Sequence, residues 1–230
     1  MLIAVFDTET TGLPKTKIID KEVLHLWPHI LQFSYVIFDT ATRKIVKTHD
    51  SIIDVGPAVE ISEESVRFHK ITADISREKG CRLIDSLCEF FEDIANTPLI
   101  VGHNVSFDIN MLKVELIRLL KTHKNPKLIQ QYLNMLETVT VVCTMQNSVD
   151  LCAIERKDRF GKTFNKFPQL AELHQHLFHT TPHNLHNALT DVIVCLRCFM
   201  SLQHNIDIVM EGGEDVDHAI ALFFSHNEEK

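Results

Sequence analysis

Three short motifs place acidic side chains where apolar segments begin or end, and they constrain the fold more than any other feature of the chain. Asp7 and Glu9 directly follow the apolar run LIAVF, and Asp108 stands in the first turn of a periodic helical pattern. Asp191 lies near the start of another such pattern, five residues after His186. Hard divalent cations bind clustered carboxylate oxygens. If the three segments converge, the sequence therefore predicts a metal site.

The order of apolar patterns predicts an α/β fold with helices flanking a central mixed five-stranded sheet. Strand patterns occupy residues 2–6, 30–39, 43–53, 98–103 and 138–144. Helical patterns occupy residues 61–70, 82–95, 105–120, 168–178 and 188–204. The first three strands are expected to be antiparallel neighbours. With 45% hydrophobic side chains in 230 residues, the chain can bury one core. We assign this core to a domain over residues 1–205. Residues 206–230 are expected to form an acidic tail with a short apolar segment.

The acidic charge of the chain is concentrated at its C-terminus. Residues 211–230 hold six acidic side chains against one lysine, a net of −5, so the total of −8 leaves −3 for the other residues. Acidity on this scale does not exclude a phosphate-bearing substrate, because bound cations would offset acids that serve as metal ligands. It does argue against nonspecific coating of long duplex, which needs a broad basic face.

The cysteines and the apolar runs are typical of a protein from a reducing compartment. The six cysteines lack the spacing of a disulfide framework. Cys195 and Cys198 form a C-x-x-C inside an apolar helical pattern, where buried packing is favoured over zinc or redox chemistry. Neither a signal-peptide pattern nor an apolar run of about 18 residues is found, so we expect a cytoplasmic protein with no membrane partner.

The first motif, FDTETTGLP, places two carboxylates one residue apart at a strand end. We expect the strand to run out into a glycine-containing turn at Thr10, Thr11 and Gly12, so that Asp7 and Glu9 bend toward one point above the sheet edge. Solvated surface acids also produce a lone D-x-E, so the position after an apolar strand carries the prediction.

The second motif, GHNVSFDINML, leads into the helical pattern at 105–120. Its carboxylate, Asp108, could face the strand end that carries Asp7. The alternative is that Asp108 only stabilises the positive end of the helix dipole.

The third motif, HNALTD, imposes a geometric condition. Five residues apart on a continuous helix, His186 and Asp191 would lie about 140° apart around its axis. If both serve one site, His186 must precede the helix, as the irregular segment around Pro182 suggests. A histidine at a helix N-terminus tends to stay neutral and can act as a base. The chain has 14 histidines, however, and an exposed or structural role is the alternative.

Together these motifs resemble the DEDDh family of 3′-5′ exonucleases, which have an RNase H-like fold and include the proofreading exonuclease of bacterial replicative polymerases. The resemblance runs from about residue 2 to residue 200, and ESVRFHKIT and KFPQLAELHQHLF are also similar to family segments. Lys70 stands where the family usually has glycine, which leaves that loop conformation open. Asn187 occupies the position of the tyrosine that marks a sister subgroup, so the histidine branch is the one resembled.

The resemblance implies two-metal hydrolysis of a phosphodiester by Mg²⁺ or Mn²⁺ ions about 3.5–4 Å apart. The implied metal ligands, which are also catalytic, are Asp7, Glu9, Asp108 and Asp191. Asp7 would bridge the ions, Glu9 and Asp191 would complete one coordination sphere, and Asp108 would contact the other ion through waters. His186 would accept the proton of the attacking water, a role that suits the ordinary histidine pKa near 6.5. The residues implied to receive the terminal nucleotide are Thr10, Thr11, Gly12, Leu13, His103, Asn104 and Phe107.

Residues 156–166, RKDRFGKTFNK, interleave basic and aromatic side chains. The segment has five basic side chains and one acidic side chain, Asp158, and Phe160 and Phe164 lie between the basic residues. Such a composition suits a single strand led toward a site, and it suits a solvated loop equally well.

The C-terminal segment DHAIALFF resembles a site for a partner protein. Asp217, Ile220, Phe223 and Phe224 have the spacing of a sliding-clamp-binding box. A short turn that docks two aromatics in a groove of a clamp or replicative polymerase is physically reasonable. The alternative is that the segment packs on its own domain.

Three functions are compatible with the sequence. The favoured one is a DNA-directed 3′-5′ exonuclease of proofreading or repair type, and the runner-up is a 3′-5′ exoribonuclease. The motifs do not separate the two, because that depends on contacts to the 2′-hydroxyl. The third is a catalytically silent nucleic-acid-binding module, which would be expected to have lost one of the five chemical residues that are all present here.

Overall fold

A five-stranded mixed sheet forms the centre of the computed structural model, which describes residues 1–210 together with Ile220 and Phe223. Its strands are Leu2–Thr10 (β1), Ile30–Asp39 (β2), Lys44–Ile52 (β3), Leu99–Gly102 (β4) and Thr140–Cys143 (β5). They lie in the order β3-β2-β1-β4-β5. The first three are antiparallel neighbours, as predicted, and β4 and β5 continue the sheet in parallel pairing beside β1. The predicted α/β architecture is confirmed.

Helices cover both faces of the sheet. They are Glu63–His69 (α1), Ala73–Lys79 (α2), Leu83–Ile94 (α3), Val105–Leu120 (α4), Pro126–Thr138 (α5), Thr144–Asn147 (α6), Val149–Cys152 (α7), Leu170–Phe178 (α8) and Ala188–His204 (α9). A 3-10 turn spans Leu24–Leu26, and Glu155–Lys157 (β6) pairs with Thr163–Asn165 (β7) in a separate hairpin. The segment 156–166 is thus a folded hairpin.

Two apolar clusters, one on each side of the sheet, make up the core. Alternation along β1 sends Ala4 and Phe6 into the cluster packed by α3, α4 and α5. Ile3 and Val5 enter the opposite cluster, which α8 and α9 cover. Burial of both faces explains why the first strand reads as a continuous apolar run rather than an alternating one.

The C-terminal apolar segment contributes to the second cluster. Ile220 is 1% exposed and Phe223 packs, half-buried, against the same group of residues. These two members of the predicted clamp box therefore contact the domain itself, which favours the alternative that the segment packs back. Asp217 and Phe224 lie outside the described residues. The domain boundary at residue 205 stays a prediction.

Every helix in the described part of the chain is too short or too polar to traverse a lipid bilayer.

Candidate active site

Three carboxylates converge where β1 meets α9. Asp7, Glu9 and Asp191 each offer an oxygen within 4.8 Å of the others. The convergence needs no turn, contrary to our expectation from the sequence. Strand β1 continues to Thr10, and residues two apart in a strand point to the same face. Asp7 and Glu9 therefore project on the side that α9 covers.

Gln32 holds the N-terminus of α9 beside the acidic residues of β1. It lies opposite Glu9 in the antiparallel register, and its side chain is buried. Its Oε1 accepts a hydrogen bond from the Ala188 N–H at 3.2 Å, which occupies one of the free donors of the first helical turn. The Asn187 side chain accepts from Thr190 N at 3.2 Å and caps the helix. These contacts fix the first turn of α9, which carries Asp191.

Asp108 reaches the same region from the opposite helical layer. Strand β4 ends at Gly102, and beyond that point the N–H of Thr8 on β1 has no strand partner on this edge. The Asp108 Oδ1 accepts from that N–H at 3.1 Å and from Thr8 Oγ1 at 2.7 Å. A Cβ on Gly102 would come within 2.8 Å of Val105 Cγ2, so only glycine lets α4 begin this close to the strand end.

The acidic residues repel one another because burial strips them of water. Burial, together with the nearby Asp191 and Asp108 carboxylates, raises the pKa of Glu9 to about 8. Burial first, and then the other three acids, hold the pKa of Asp7 well above its ordinary value. Burial raises the pKa of Asp108 to about 7 although the hydrogen bonds from Thr8 lower it.

Asp191 supplies the observation that a cation fits this site. Burial raises its pKa to about 7, and its Oδ1 is buried without a hydrogen-bond partner among the described residues. Its Oδ2 accepts the backbone N–H of His186 at 3.2 Å. A divalent cation would satisfy the unpaired oxygen and offset the mutual repulsion at once. The donor set, which consists of carboxylate oxygens alone, suits a hard cation such as Mg²⁺ or Mn²⁺.

His186 precedes α9, as its spacing from Asp191 required. It adopts a positive φ of 70° and lies exposed in the loop before the helix. Its ring contacts the Phe68 ring edge-on, with centroids 5.0 Å apart. The backbone bond to Asp191 fixes the main chain of His186 next to that carboxylate, and Phe68 contacts its ring.

A cavity of about 980 Å³ opens next to these groups. Glu9 and His186 both line it and so connect it with the carboxylates. Five of the residues predicted to bind the terminal nucleotide also line it, namely Thr10, Thr11, Gly12, Leu13 and Phe107. Leu13 is 78% exposed and offers an apolar surface at the rim.

His103 and Asn104, predicted to bind substrate, are not among the residues that line this cavity. His103 Nε2 donates to the Pro168 carbonyl at 3.0 Å, and Nδ1 lies 3.0 Å from Thr144 Oγ1. Burial lowers its pKa to about 4, so the ring is neutral and connects β4 with the segment before α8. Asn104, with a φ of 61°, is the residue that turns the chain into α4.

Sequence reasoning missed the far wall of the cavity, which includes Trp27 and Pro28. Arg118 of α4 donates to the carbonyls of Leu24, Trp27 and Pro28 at 2.8–2.9 Å, and Glu115 accepts from its guanidinium at 2.7 Å. The spacing of Glu115 and Arg118 predicts a pair on one helix face, but it does not predict which loop the pair contacts.

Comparison with known proteins identifies the family. The family model described as Exonuclease, of RNase T type, matches residues 4–199. This chain belongs to that exonuclease family. The resemblance to an exonuclease family that the three motifs indicated is therefore confirmed.

Solved exonuclease structures share the fold. Escherichia coli Exonuclease I in complex with a dA16 oligonucleotide superposes with a TM-score of 0.55 at 14% identity, over 89% of this chain and 41% of that one. Exonuclease I from Methylocaldum szegediense gives a TM-score of 0.56 at 15% identity, over 89% and 41%. At such identities the likeness concerns the fold alone.

One curated relative is a polymerase. The PolC-type DNA polymerase III of Clostridium perfringens is 27% identical over an alignment of 110 positions, which covers 40% of this chain and 8% of that protein. The chain therefore spans about two fifths of the Exonuclease I chains and less than a tenth of the polymerase.

Proposed function

We propose that this exonuclease removes nucleoside 5′-monophosphates from the 3′ end of DNA. The observation that carries the proposal is the meeting of Asp7, Glu9 and Asp191 within 4.8 Å, beside His186 and at the edge of a cavity of about 980 Å³. DNA is favoured over RNA because the similar proteins include a DNA polymerase and an exonuclease bound to a deoxyoligonucleotide.

The carboxylates would hold two divalent cations. Asp7, Glu9 and Asp191 form one group of ligands, and Asp108, whose Oδ1 already accepts from Thr8, would contact the second position. When bound, the cations supply an activated water and neutralise charge on the phosphoryl oxygens. An acidic site of this kind repels the phosphodiester until the carboxylate charge is offset.

His186 would take the proton from the attacking water. The water oxygen bonds to phosphorus, the bond from phosphorus to the 3′ oxygen breaks, and the strand keeps a 3′-hydroxyl. The exposed ring can pass the proton to solvent afterwards, while the edge-on contact with Phe68 limits its rotation. Proton transfer by a positioned side chain contributes about 10²–10⁴-fold to the rate.

The terminal nucleotide would enter the cavity between the turn after β1 and the start of α4. Thr11 is fixed there by backbone hydrogen bonds to His29 and Ser62, both at 2.9 Å. The firmly held turn presents Gly12 and Leu13 toward one side of the cavity, and Phe107 lines it from α4. A base could stack between these apolar groups.

His186→Ala tests the assigned base. We expect kcat on a 5′-labelled oligonucleotide with Mg²⁺ to fall about 10²–10⁴-fold, with manganese binding by calorimetry unchanged. His183→Ala, at an exposed position in the same loop, is the matched control and should retain full turnover. Near wild-type rates in the His186 variant would refute the assignment.

Matched DNA and RNA oligonucleotides test direction and substrate. We expect a free 3′ end of DNA to shorten one nucleotide at a time, and a 3′-phosphate to block the reaction. Release of mononucleotides from the 5′ end would overturn the polarity. Faster shortening of RNA would make the chain an exoribonuclease instead.

A further inference from the structure

The β6–β7 hairpin is a well-formed element with a specific turn. Asp158 Oδ1 accepts from the backbone N–H of Phe160 at 2.8 Å and from that of Lys162 at 2.9 Å, while Gly161 takes a φ of 82°. Lys166 N donates to the Ile154 carbonyl at 2.9 Å and closes the end of the hairpin opposite the turn. The backbone of this hairpin therefore has a defined conformation.

Large aromatic side chains of this hairpin and its exit face solvent. Phe160 is 80% exposed, Phe164 46% and Phe167 58%. Isolated two-stranded hairpins are marginally stable, and packing aromatics against the domain would have stabilised this one. Three exposed phenylalanines on and beside one folded element exceed the isolated apolar side chains that any surface carries, and such exposed apolar surface marks an interaction site.

The charge of the hairpin is opposite to that of the chain. Residues 155–166 hold five bases against two acids, while the whole chain has a net charge of −8. One of the two acids, Asp158, is engaged in the turn. Lys157 and Lys162 form no ion pair with any residue that the structure describes, and the Arg159 guanidinium lies 4.7 Å from the Phe160 ring centroid. Arg156 pairs with Phe164 in the β6–β7 register, so basic and aromatic side chains are neighbours on the hairpin.

The exit strand of the hairpin leads directly to the cavity. Three residues after Lys166, where the hairpin ends, the chain reaches Gln169, which lines the cavity. At full extension this stretch spans about 10 Å. The Pro168 carbonyl between them is fixed by the hydrogen bond from His103. Exposed Phe167 therefore stands between the hairpin and the cavity.

We propose that the hairpin, with Phe167, docks the single-stranded part of a polynucleotide whose 3′ end occupies the cavity. The proposal rests on the proposed function. The phenylalanines stack on unpaired bases, and the four basic side chains from Arg156 to Lys162 contact phosphates. Aromatic stacking requires bases that are free of a complementary strand, so the surface selects single strands or frayed ends over intact duplex.

Two variants test the docking surface. Phe160→Leu with Phe164→Leu removes the π faces but keeps apolar side chains, and Arg156→Ala with Arg159→Ala and Lys162→Ala removes three charges. The matched control is Lys121→Ala with Lys124→Ala and Lys127→Ala, which removes three exposed charges beyond the C-terminal end of α4. That end lies about 24 Å along the helix from its first turn at the site.

The readouts separate docking from chemistry. For dT20, we expect both hairpin variants to raise KM about tenfold or more, with kcat unchanged. A trinucleotide, which fills only the cavity, should be hydrolysed as by the wild type, and the control variant should match the wild type on both substrates. Loss of three phosphate contacts should make the slope of log binding constant against log salt less negative by about 2.

Binding of 5′-labelled dT20 in EDTA keeps this test independent of catalysis. If the wild type degrades no oligonucleotide but the hairpin variants still weaken dT20 binding, the proposed function fails and the docking surface stands. An unchanged KM and salt slope in both variants would overturn the docking surface. So would an equal loss on dT20 and trinucleotide. Should a multiple variant fail to fold, Phe160→Leu alone, at the tip of the turn, decides by the same dT20 measurements.

Discussion

Each carboxylate of the site is placed where it is costly without a cation. Asp7 and Glu9 are half-buried on one face of β1, and Asp191 has an unpaired buried oxygen. A carboxyl whose pKa is raised in the folded state binds its proton more tightly there than in the unfolded chain. Its contribution to stability is therefore greatest below the unfolded pKa, near 4, and is lost as pH rises through the folded value.

Glu9→Gln should stabilise the metal-free protein. The pKa of Glu9 is raised to about 8, so the change removes a repelled charge at pH 8 and almost nothing at pH 4.5. At about 1.4 kcal/mol per pKa unit, the shift from 4.5 to about 8 sets an upper limit of about 5 kcal/mol, and we expect the free energy of unfolding in EDTA to increase by at least about 1–2 kcal/mol at pH 8. Urea unfolding at the two pH values measures the difference.

The exposed Glu78→Gln is the matched control, for which we expect no pH-dependent gain. Equal stability of Glu9→Gln and wild type at pH 8 would contradict the account of mutual repulsion. Added Mn²⁺ should reverse the order, because the wild type alone keeps the full set of ligands.

The sequence predicts some site residues better than others, for physical reasons. Asp7, Asp108 and Asp191 stand at ends of elements with strong periodicity, so their positions follow from local patterns. Phe68 and His103 depend on contacts made across the fold. Phenylalanine and histidine occur both in cores and at functional surfaces, and no local sequence signal separates those roles.

At the scale of elements, the contact between β2 and α9 positions half of the site. Gln32 accepts from Ala188 N and donates to Asp50 Oδ1 at 2.8 Å, so the sheet edge and the helix start share one side chain. A shift of α9 would move both Asp191 and His186 away from β1.

Gln32→Ala should therefore impair both stability and turnover. Removing the partner of a buried donor costs about 1–3 kcal/mol, and we expect kcat to fall more than KM changes. Denaturant unfolding and steady-state kinetics on one oligonucleotide measure the two effects. Gln203→Ala, at an exposed position near the end of the same helix, serves as control. Unaltered kcat in the Gln32 variant would show that α9 is positioned by its apolar face alone.

The elements that the sequence failed to predict share a cause. Helix α2 has seven residues and buries only Ser76, which gives too little apolar periodicity to recognise. Helix α5 buries Ile129, Tyr132 and Leu136 on one face, but its mean composition is polar and it follows a lysine-rich turn. Strand β1 continues four residues beyond the predicted 2–6, because Thr8 and Thr10 pair with β2 although their side chains are polar.

At the scale of the whole molecule, the two apolar clusters differ in how they are completed. The cluster on the α3–α5 side consists of elements between β1 and β5 along the chain. The cluster under α9 also takes Ile208 and Ile220 from beyond that helix. The segment after α9 therefore contributes to the core, and a boundary at residue 205 would divide the second cluster.

Ile220→Ala should lower the stability of the full chain. At 1% exposure, the side chain leaves a cavity when truncated, for which the cost is about 2–5 kcal/mol. Thermal unfolding of the full-length protein measures it, with Met210→Ala, 76% exposed, as control. A melting temperature equal to that of the wild type would mean that this segment is free to meet a clamp or polymerase.

The pairing of Asp108 with Thr8 affects how knockouts of this site must be designed. One oxygen of Asp108 accepts the hydrogen bond of the Thr8 N–H where β4 ends. Alanine at this position would leave that N–H without its partner and would also remove a negative charge from the site. Inactivity of such a variant would have two confounded origins. Asparagine retains an oxygen that accepts from Thr8, and it is therefore the replacement that isolates electrostatics from architecture.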